Sequence, residues 1–419
     1  MRAIGGRALW IILAVALAVR LGAVAAHPRY VPPSDPADYE RIALSVRDGG
    51  YPGRTQGLPG PTAYRPPLYP IALGIAYRSA PGIGERTWAR LVQAGVGTFT
   101  VWLVGVVAFL ALRRRRVAIA AMAVAAVWPP MWLYGGAFLS EVLFVPLVLG
   151  TIAAALHWRD TRLRRWLVGC GVLLGLATLT RVNGAALALP LAVAMWTATD
   201  GPALRRASPV LAMLAAAVVT IAPWTIRNAV EFGRFVPVAT EDGYTLAGTY
   251  NDVARRQTEF PAAWVSWYEV PTNIRAIRKV PNDELEWNHA LRDEALRFVR
   301  EHPAYVGKVG WWNLRRVFDA AGLPWLRYEL GLGYGLPAWS ARVELLSFWP
   351  VALLALLGLG TRAARSLPRW IGLVPVVLLL PIFLTGYMRF RTPIDALLAI
   401  SAGCALATLW DRWRGPARA

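Results

Sequence analysis

About ten stretches of this chain approach the ~20 mostly apolar residues that a helix needs to cross a bilayer. They lie near residues 8–26, 88–112, 117–134, 139–157, 166–180, 184–199, 208–224, 344–360, 369–386 and 394–410. Pro129-Pro130 and Arg181-Val182-Asn183 interrupt two pairs of them, which blurs those edges. The hydrophobic share is 56%, well above the ~45–50% of a soluble domain, and the mean hydropathy is +0.41. The expectation is an all-α polytopic membrane protein.

The formal charge of +20 is carried almost wholly by arginine, with lysine only at positions 279 and 308. The arginines fall in short clusters between apolar runs, a pattern that argues against a nucleic-acid surface. Arg2 and Arg7, Arg113 to Arg116, Arg159 to Arg165, Arg205 and Arg206, Arg362 to Arg369, and Arg412 to Arg418 mark alternate connections. Cytoplasmic loops carry such an excess, so both termini are expected in the cytoplasm, and the first apolar run reads as an uncleaved helix. Cys170 and Cys404 sit in apolar runs, and the four histidines are isolated in sequence. Neither a disulfide framework nor a zinc centre is expected.

Two polar segments, 27–87 and 225–343, then face outward. The expected organisation is an N-terminal transmembrane module (1–224) with a first external loop (27–87), an external segment of short helices (225–343), and C-terminal transmembrane helices (344–419). Leu68 to Ala76 is too short to cross and reads as an interfacial helix. Asp283-Glu284-Leu285-Glu286 is a helix start that Pro303 closes after His302. Trp311, Trp312, Trp325 and Trp349 suit the headgroup level.

Chemistry-bearing residues cluster beside these outer ends. Asp35, in Pro32-Pro33-Ser34-Asp35-Pro36, reads either as the carboxylate of an Asx-type turn or as a base held near the bilayer; Asp38 and Glu40 compete for that role. From Asp38 on, Tyr39, Ile42, Ala43 and Val46 recur at helical spacing, so a helix is expected to start near Asp38. Arg65-Pro66-Pro67 has restricted backbone and presents a planar guanidinium suited to phosphate oxygens. Glu141 is the only acid between Val117 and His157, and it falls at the outer end of a span, as do Arg181, Arg389 and Arg391. Together they outline a cleft for an anionic substrate. No P-loop and no nucleophile elbow is present, and Gly331-Leu-Gly333-Tyr-Gly335 lacks the flanking strand and helix of a dinucleotide site.

The ordered set of Asp35 with Tyr39, Tyr64-Arg65-Pro66-Pro67-Leu68-Tyr69-Pro70, Ser140-Glu141, Leu179-Thr180-Arg181, Pro223-Trp224-Thr225-Ile226-Arg227-Asn228, Phe232 to Pro237 and Arg389-Phe390-Arg391-Thr392-Pro393 resembles the GT-C glycosyltransferases. The likeness is to the bacterial protein O-mannosyltransferase and lipid A aminoarabinose transferase group, glycosyltransferase family 39 type. That resemblance implies an extracytoplasmic active site at the plasma membrane and a sugar on a polyprenyl phosphate as donor. It implies an acceptor hydroxyl or amine on a glycan, lipid or protein, and inverting transfer. By it, Asp35 matches the general base and Glu141 a second acid, while Asp38, Tyr39, Arg65, Tyr69, Arg181, Arg389 and Arg391 bind substrate. Pro36 stands where many relatives carry another acid, so a metal or paired-acid role there is not supported. The competing reading is a flippase or transporter of lipid-linked saccharides, which calls for charges deep inside several helices; the spans contain almost none away from their ends.

Overall fold

The computed structural model describes residues 6–51, 54–55 and 58–414. Among these, the chain is helical apart from a two-residue antiparallel pairing of Arg54–Thr55 with Leu58–Pro59. Helix α1 (Arg7–Ala25) leads to the paired helices α2 (Ser34–Arg47) and α3 (Leu68–Arg78), and then to α4 (Glu85–Leu112), α5 (Arg115–Val127), α6 (Glu141–Thr161), α7 (Arg164–Thr180), α8 (Ala188–Ala198) and α9 (Ala203–Phe232). A polar segment follows: α10 (Asp242–Thr249), α11 (Asp252–Arg256), α12 (Pro271–Ile277), α13 (Glu284–Glu301), α14 (Pro303–Val317) and α15 (Leu323–Arg327). The chain then returns through α16 (Trp339–Leu359), α17 (Leu373–Leu379) and α18 (Thr392–Trp413).

Helices α1, α4, α6, α9, α16 and α18, the last with the turn before it, are long and apolar enough to span a bilayer. The other four expected spans coincide with shorter elements. Helix α5 has 13 residues and stops where Trp128 turns extended ahead of Pro129-Pro130. Helix α7 has 17, and Val182–Ala198 and Arg369–Phe383 mix tighter 3₁₀ turns with α-helix. The protein is multi-pass, with α6 and α18 central (72% of each span's apolar window buried) and α9 and α1 peripheral (11% and 17%).

Without a hydrophobic force between helices in lipid, packing depends on close backbone approach at small residues. Gly171 and Gly175 supply it between α7 and α9: a Cβ there would meet the Met213 carbonyl at 2.2 Å and the Thr220 Cβ at 2.6 Å. Gly358 of α16 lies likewise against Ser401 of α18. At one end of the bundle exposed ion pairs, Arg113 with Asp160 and Arg116 with Asp411, tie helix ends together. At the other end α2, α3 and the α10–α15 segment gather.

Several expectations need correction. Helix α2 starts at Ser34, not near Asp38, so Asp35 stands in a first helical turn instead of an Asx-type turn. Helix α9 continues to Phe232, eight residues past the expected boundary. Trp325 is buried against Phe260, Tyr328 and Tyr387 instead of being presented on the surface. The spans are also less free of charge than they read. Arg20 of α1 is buried and donates to the carbonyls of Ala16, Ala126 and Met131, at 3.0, 3.2 and 2.9 Å, capping the end of α5. The expected helix start at Asp283 holds, its carboxylate accepting from the Leu285 and Glu286 amides.

Candidate active site

Proline placement builds the first wall. Pro32-Pro33 leads extended into α2, and Pro36 fits a first turn in which its missing N–H costs nothing. Asp35, Asp38 and Tyr39 thereby share one helix face, with the Asp35 carboxylate near the positive end of the helix dipole. Arg65, held ahead of Pro66-Pro67 at the start of α3, reaches that face. Its guanidinium donates to Asp35, to Asp38 at 3.1 Å, and to Glu241 at 3.3 Å, just before α10. The rings of Tyr39 and Tyr64 lie 5.4 and 4.8 Å from it.

The second wall comes from the far end of the sequence. Arg389, in the turn Met388–Arg391 that opens α18, donates to the other Asp35 oxygen, and its Nε lies 3.5 Å from Glu141. Glu141 is the first residue of α6 and also accepts from Arg181, the residue after α7. The Ser140 hydroxyl joins Tyr39 (3.2 Å) to Arg181 (3.1 Å). A continuous chain of side-chain contacts thus links Arg65, Asp35, Arg389, Glu141 and Arg181.

Arg65, Asp35, Arg389 and Arg181 border a cavity of about 710 Å³, with Glu141 buried behind them. Asp35, Tyr39, Arg65, Arg181, Glu241, Glu329, Tyr334 and Arg389 line it, as do Asp242, His289 and Arg292 of α10 and α13. Burial pushes the Asp35 carboxyl up, but Arg65 and Arg389 outweigh it and hold Asp35 well below the usual carboxylate range. Glu241 is raised, burial exceeding the pull of Arg65. Arg65 stays firmly charged: burial acts against the charge, and Asp35, Tyr64, Asp38 and Tyr39 together outweigh it.

The guanidiniums are not fully used. Arg65 Nε, Arg389 Nε and Arg389 Nη1 are buried and have no hydrogen-bond partner among the described residues. Buried donors of this kind are costly unless something accepts from them, and an anion with several oxygens is the matching ligand. Among the described residues, no group of three or more His, Cys, Asp and Glu side chains has the arrangement to hold a metal ion.

The remaining sequence candidates lie elsewhere. Tyr69 is buried, donates to Gln93 at 2.6 Å and supports Tyr39 from beneath. Glu40 accepts from Tyr77 and Arg86. Asp38 braces Arg65 without lining the cavity. Arg391 points away from it: the tight turn Met388–Arg391 puts its side chain among Asp319, Glu344 and Asp395, at 3.1, 3.0 and 2.8 Å, all fully buried. Glu241, Glu329, Tyr334 and Tyr387 line the cavity without having stood out in the sequence. No periodicity or motif marks them, because each is placed by tertiary docking of the polar segment onto the bundle.

Residues 65–226 match the family model of dolichyl-phosphate-mannose-protein mannosyltransferases. That stretch begins at Arg65 and takes in Glu141 and Arg181. No curated protein matches the sequence. Among solved structures, the archaeal oligosaccharyltransferase AglB from Archaeoglobus fulgidus, in complex with an inhibitory peptide and a dolichol-phosphate, is similar, with a TM-score of 0.59 at 13% identity. The likeness covers 98% of this chain and 52% of that one, so the chain spans about half of AglB's length. At such identity it is the fold that is shared. The chain is a multi-pass membrane protein that shares the fold of AglB's matching half, and its residues 65–226 match the dolichyl-phosphate-mannose-protein mannosyltransferase family model.

Proposed function

We propose that this protein is a membrane glycosyltransferase. It moves a sugar from a polyprenyl-phosphate donor to a hydroxyl or amine of a cell-envelope glycan, glycolipid or protein, on the extracytoplasmic side of the plasma membrane. The observation that carries this reading is the clamping of one carboxylate, Asp35, between two guanidiniums that border a large cavity and keep three buried nitrogens without a hydrogen bond, one of them in a looser ion pair with Glu141. A phosphate has the charge and the oxygens to take those donors. The family match over residues 65–226 supports the same class of donor.

The chemistry follows from what each group can do. The donor phosphate settles against Arg65 and Arg389, with Arg181 close by through Glu141 and Ser140. The acceptor oxygen attacks the anomeric carbon from the opposite face, the bond from that carbon to the phosphate oxygen breaks, and the configuration inverts. Asp35 takes the proton of the attacking hydroxyl, and the guanidiniums stabilise the departing lipid phosphate. In the empty site Asp35 is a poor base, since both its oxygens accept from arginine. A bound phosphate competes for the same guanidiniums, loosens that hold and restores basicity where and when the donor is present.

The arginine-rich connections at the opposite end of the bundle support a cytoplasmic location for it and for both termini. A flippase path would need charges strung through the span interiors, whereas Arg20 and Arg391 are each fixed by several hydrogen bonds. The test is incubation of the purified protein with a panel of radiolabelled polyprenyl-phosphate sugars and cell-envelope extract. One donor is expected to be consumed and one envelope fraction to gain label; labelled donor that crosses vesicle membranes unconsumed would instead establish transport.

A further inference from the structure

Glu329 is a buried acid that the transfer step leaves unused. It sits in the π-turn Tyr328–Gly333 after α15, a wide and uncommon backbone form often found at functional sites. Its Oε1 accepts from the Tyr334 hydroxyl and from the Met388 amide at 3.1 Å. Its Oε2 is buried with no hydrogen-bond partner among the described residues, although the side chain borders the cavity. Met388 directly precedes Arg389, and the Tyr334 ring lies 5.1 Å from the Arg389 guanidinium. The acid is therefore built into the support of the cation that holds Asp35.

A carboxylate in that place would oppose any anion on Arg389, whereas a neutral carboxyl, with the proton on its unpartnered oxygen, would not. We infer that Glu329 is a positioning residue that admits the donor's phosphate only while it is neutral, so that its deprotonation expels the lipid phosphate from Arg389. The inference rests on the polyprenyl-phosphate reading of the site.

The surroundings favour the neutral form at neutral pH. Burial is the largest influence and lifts the Glu329 carboxyl to about 8, despite the Tyr334 hydrogen bond, Arg389 and the Met388 amide, which favour the anion. Asp319, from the end of α14, adds a like charge. Arg316 of α14 faces Glu329 as a further cation, and Tyr134, Tyr328 and Tyr387 complete the titratable groups around it.

The probe is undecaprenyl phosphate, bound to the full-length protein in detergent between pH 7 and 9.5, a window above the phosphate's own second ionisation near ~6. The parent should bind about tenfold more weakly at pH 9 than at pH 7, as the neutral fraction of a group titrating near 8 falls. Glu329→Gln keeps an acceptor for Tyr334 and Met388 but cannot ionise, and its affinity should stay level across the window. Tyr334→Phe removes a hydrogen bond that favours the anion and should move the midpoint to higher pH, a readout that survives if Glu329→Gln does not fold. Parental binding that is level with pH, or a Glu329→Gln variant that falls like the parent, overturns the inference while leaving the donor reading intact. No binding of the lipid phosphate at any pH overturns both.

Discussion

Arg389 and Arg391 are two residues apart and meet entirely different surroundings. Arg391 spends its guanidinium on Asp319, Glu344, Asp395 and the Val317 carbonyl, with the Phe348 ring 3.7 Å from its centre. Arg389 makes one hydrogen bond, to Asp35, and a looser ion pair with Glu141 at 3.5 Å, and it keeps buried nitrogens without a hydrogen bond beside a cavity. The two clusters draw on the same residue types and similar burial. They differ in the cation: Arg391 has its donor nitrogens taken within the fold and locks α14, α16 and α18 together, the unmet capacity there lying on one oxygen of each acid, while Arg389 is left short of acceptors where a ligand can supply them. A buried ion pair carries little stability information until its unmet hydrogen-bonding capacity is counted.

The sharpest way to break this comparison is to remove Asp35. Asp35→Asn preserves size and one acceptor oxygen but abolishes the base, and transfer from a polyprenyl-phosphate sugar should fall by ~10²–10⁴ with the fold retained. Parental turnover in that variant would end its assignment as base. Next in size is the loss of Arg391. Arg391→Met leaves three buried acids without their cation, and breaking such a cluster from one side costs about 3–5 kcal/mol of stability, read as a lowered denaturation midpoint in detergent. Arg389→Met, two residues away, should lose donor binding while giving up much less stability. Equal destabilisation by the two substitutions would erase the distinction drawn between them.

Which of these arginines would be free was not legible in the sequence. Both sit in one short motif, Arg389-Phe390-Arg391-Thr392-Pro393, and the resemblance assigned them one role. The backbone turn that separates them depends on docking against α14 and α16, whose acids Asp319 and Glu344 lie 72 and 47 residues from Arg391. By contrast the apolar runs, the Pro-flanked Arg65 and the span-end Glu141 and Arg181 were readable, because each is fixed by local pattern and by the bilayer's demand for ~20-residue helices. The start of α2 was misplaced for a local reason as well: the proline at position 36 read as turn punctuation when it is a first-turn proline. Glu241 and Glu329 were invisible because only the packing of the polar segment on the bundle brings them to the cavity.

A smaller effect tests whether Arg65 belongs with Arg389 or with Arg391. It pairs with three acids, as Arg391 does, yet it retains an unpartnered buried Nε and faces the cavity. If it acts on the donor, Arg65→Ala should weaken use of polyprenyl-phosphate donors by about 10- to 100-fold, the range for a hydrogen bond to a charged group of ~1.5–3 kcal/mol. An unchanged dependence on donor concentration would move it to the structural class. The smallest effect belongs to the opposite end of the bundle, where Arg113 and Asp160 are both substantially exposed. Solvent and salt screen such a pair to within about 1 kcal/mol. Arg113→Gln should therefore shift the denaturation midpoint only slightly and leave transfer and donor affinity at parental values. A large loss of transfer there would mean that charge at the far end reaches the cavity through the bundle, and the contrast between a cation whose donors are all taken and one left short of acceptors would no longer suffice to tell structural from ligand-binding arginines in this fold.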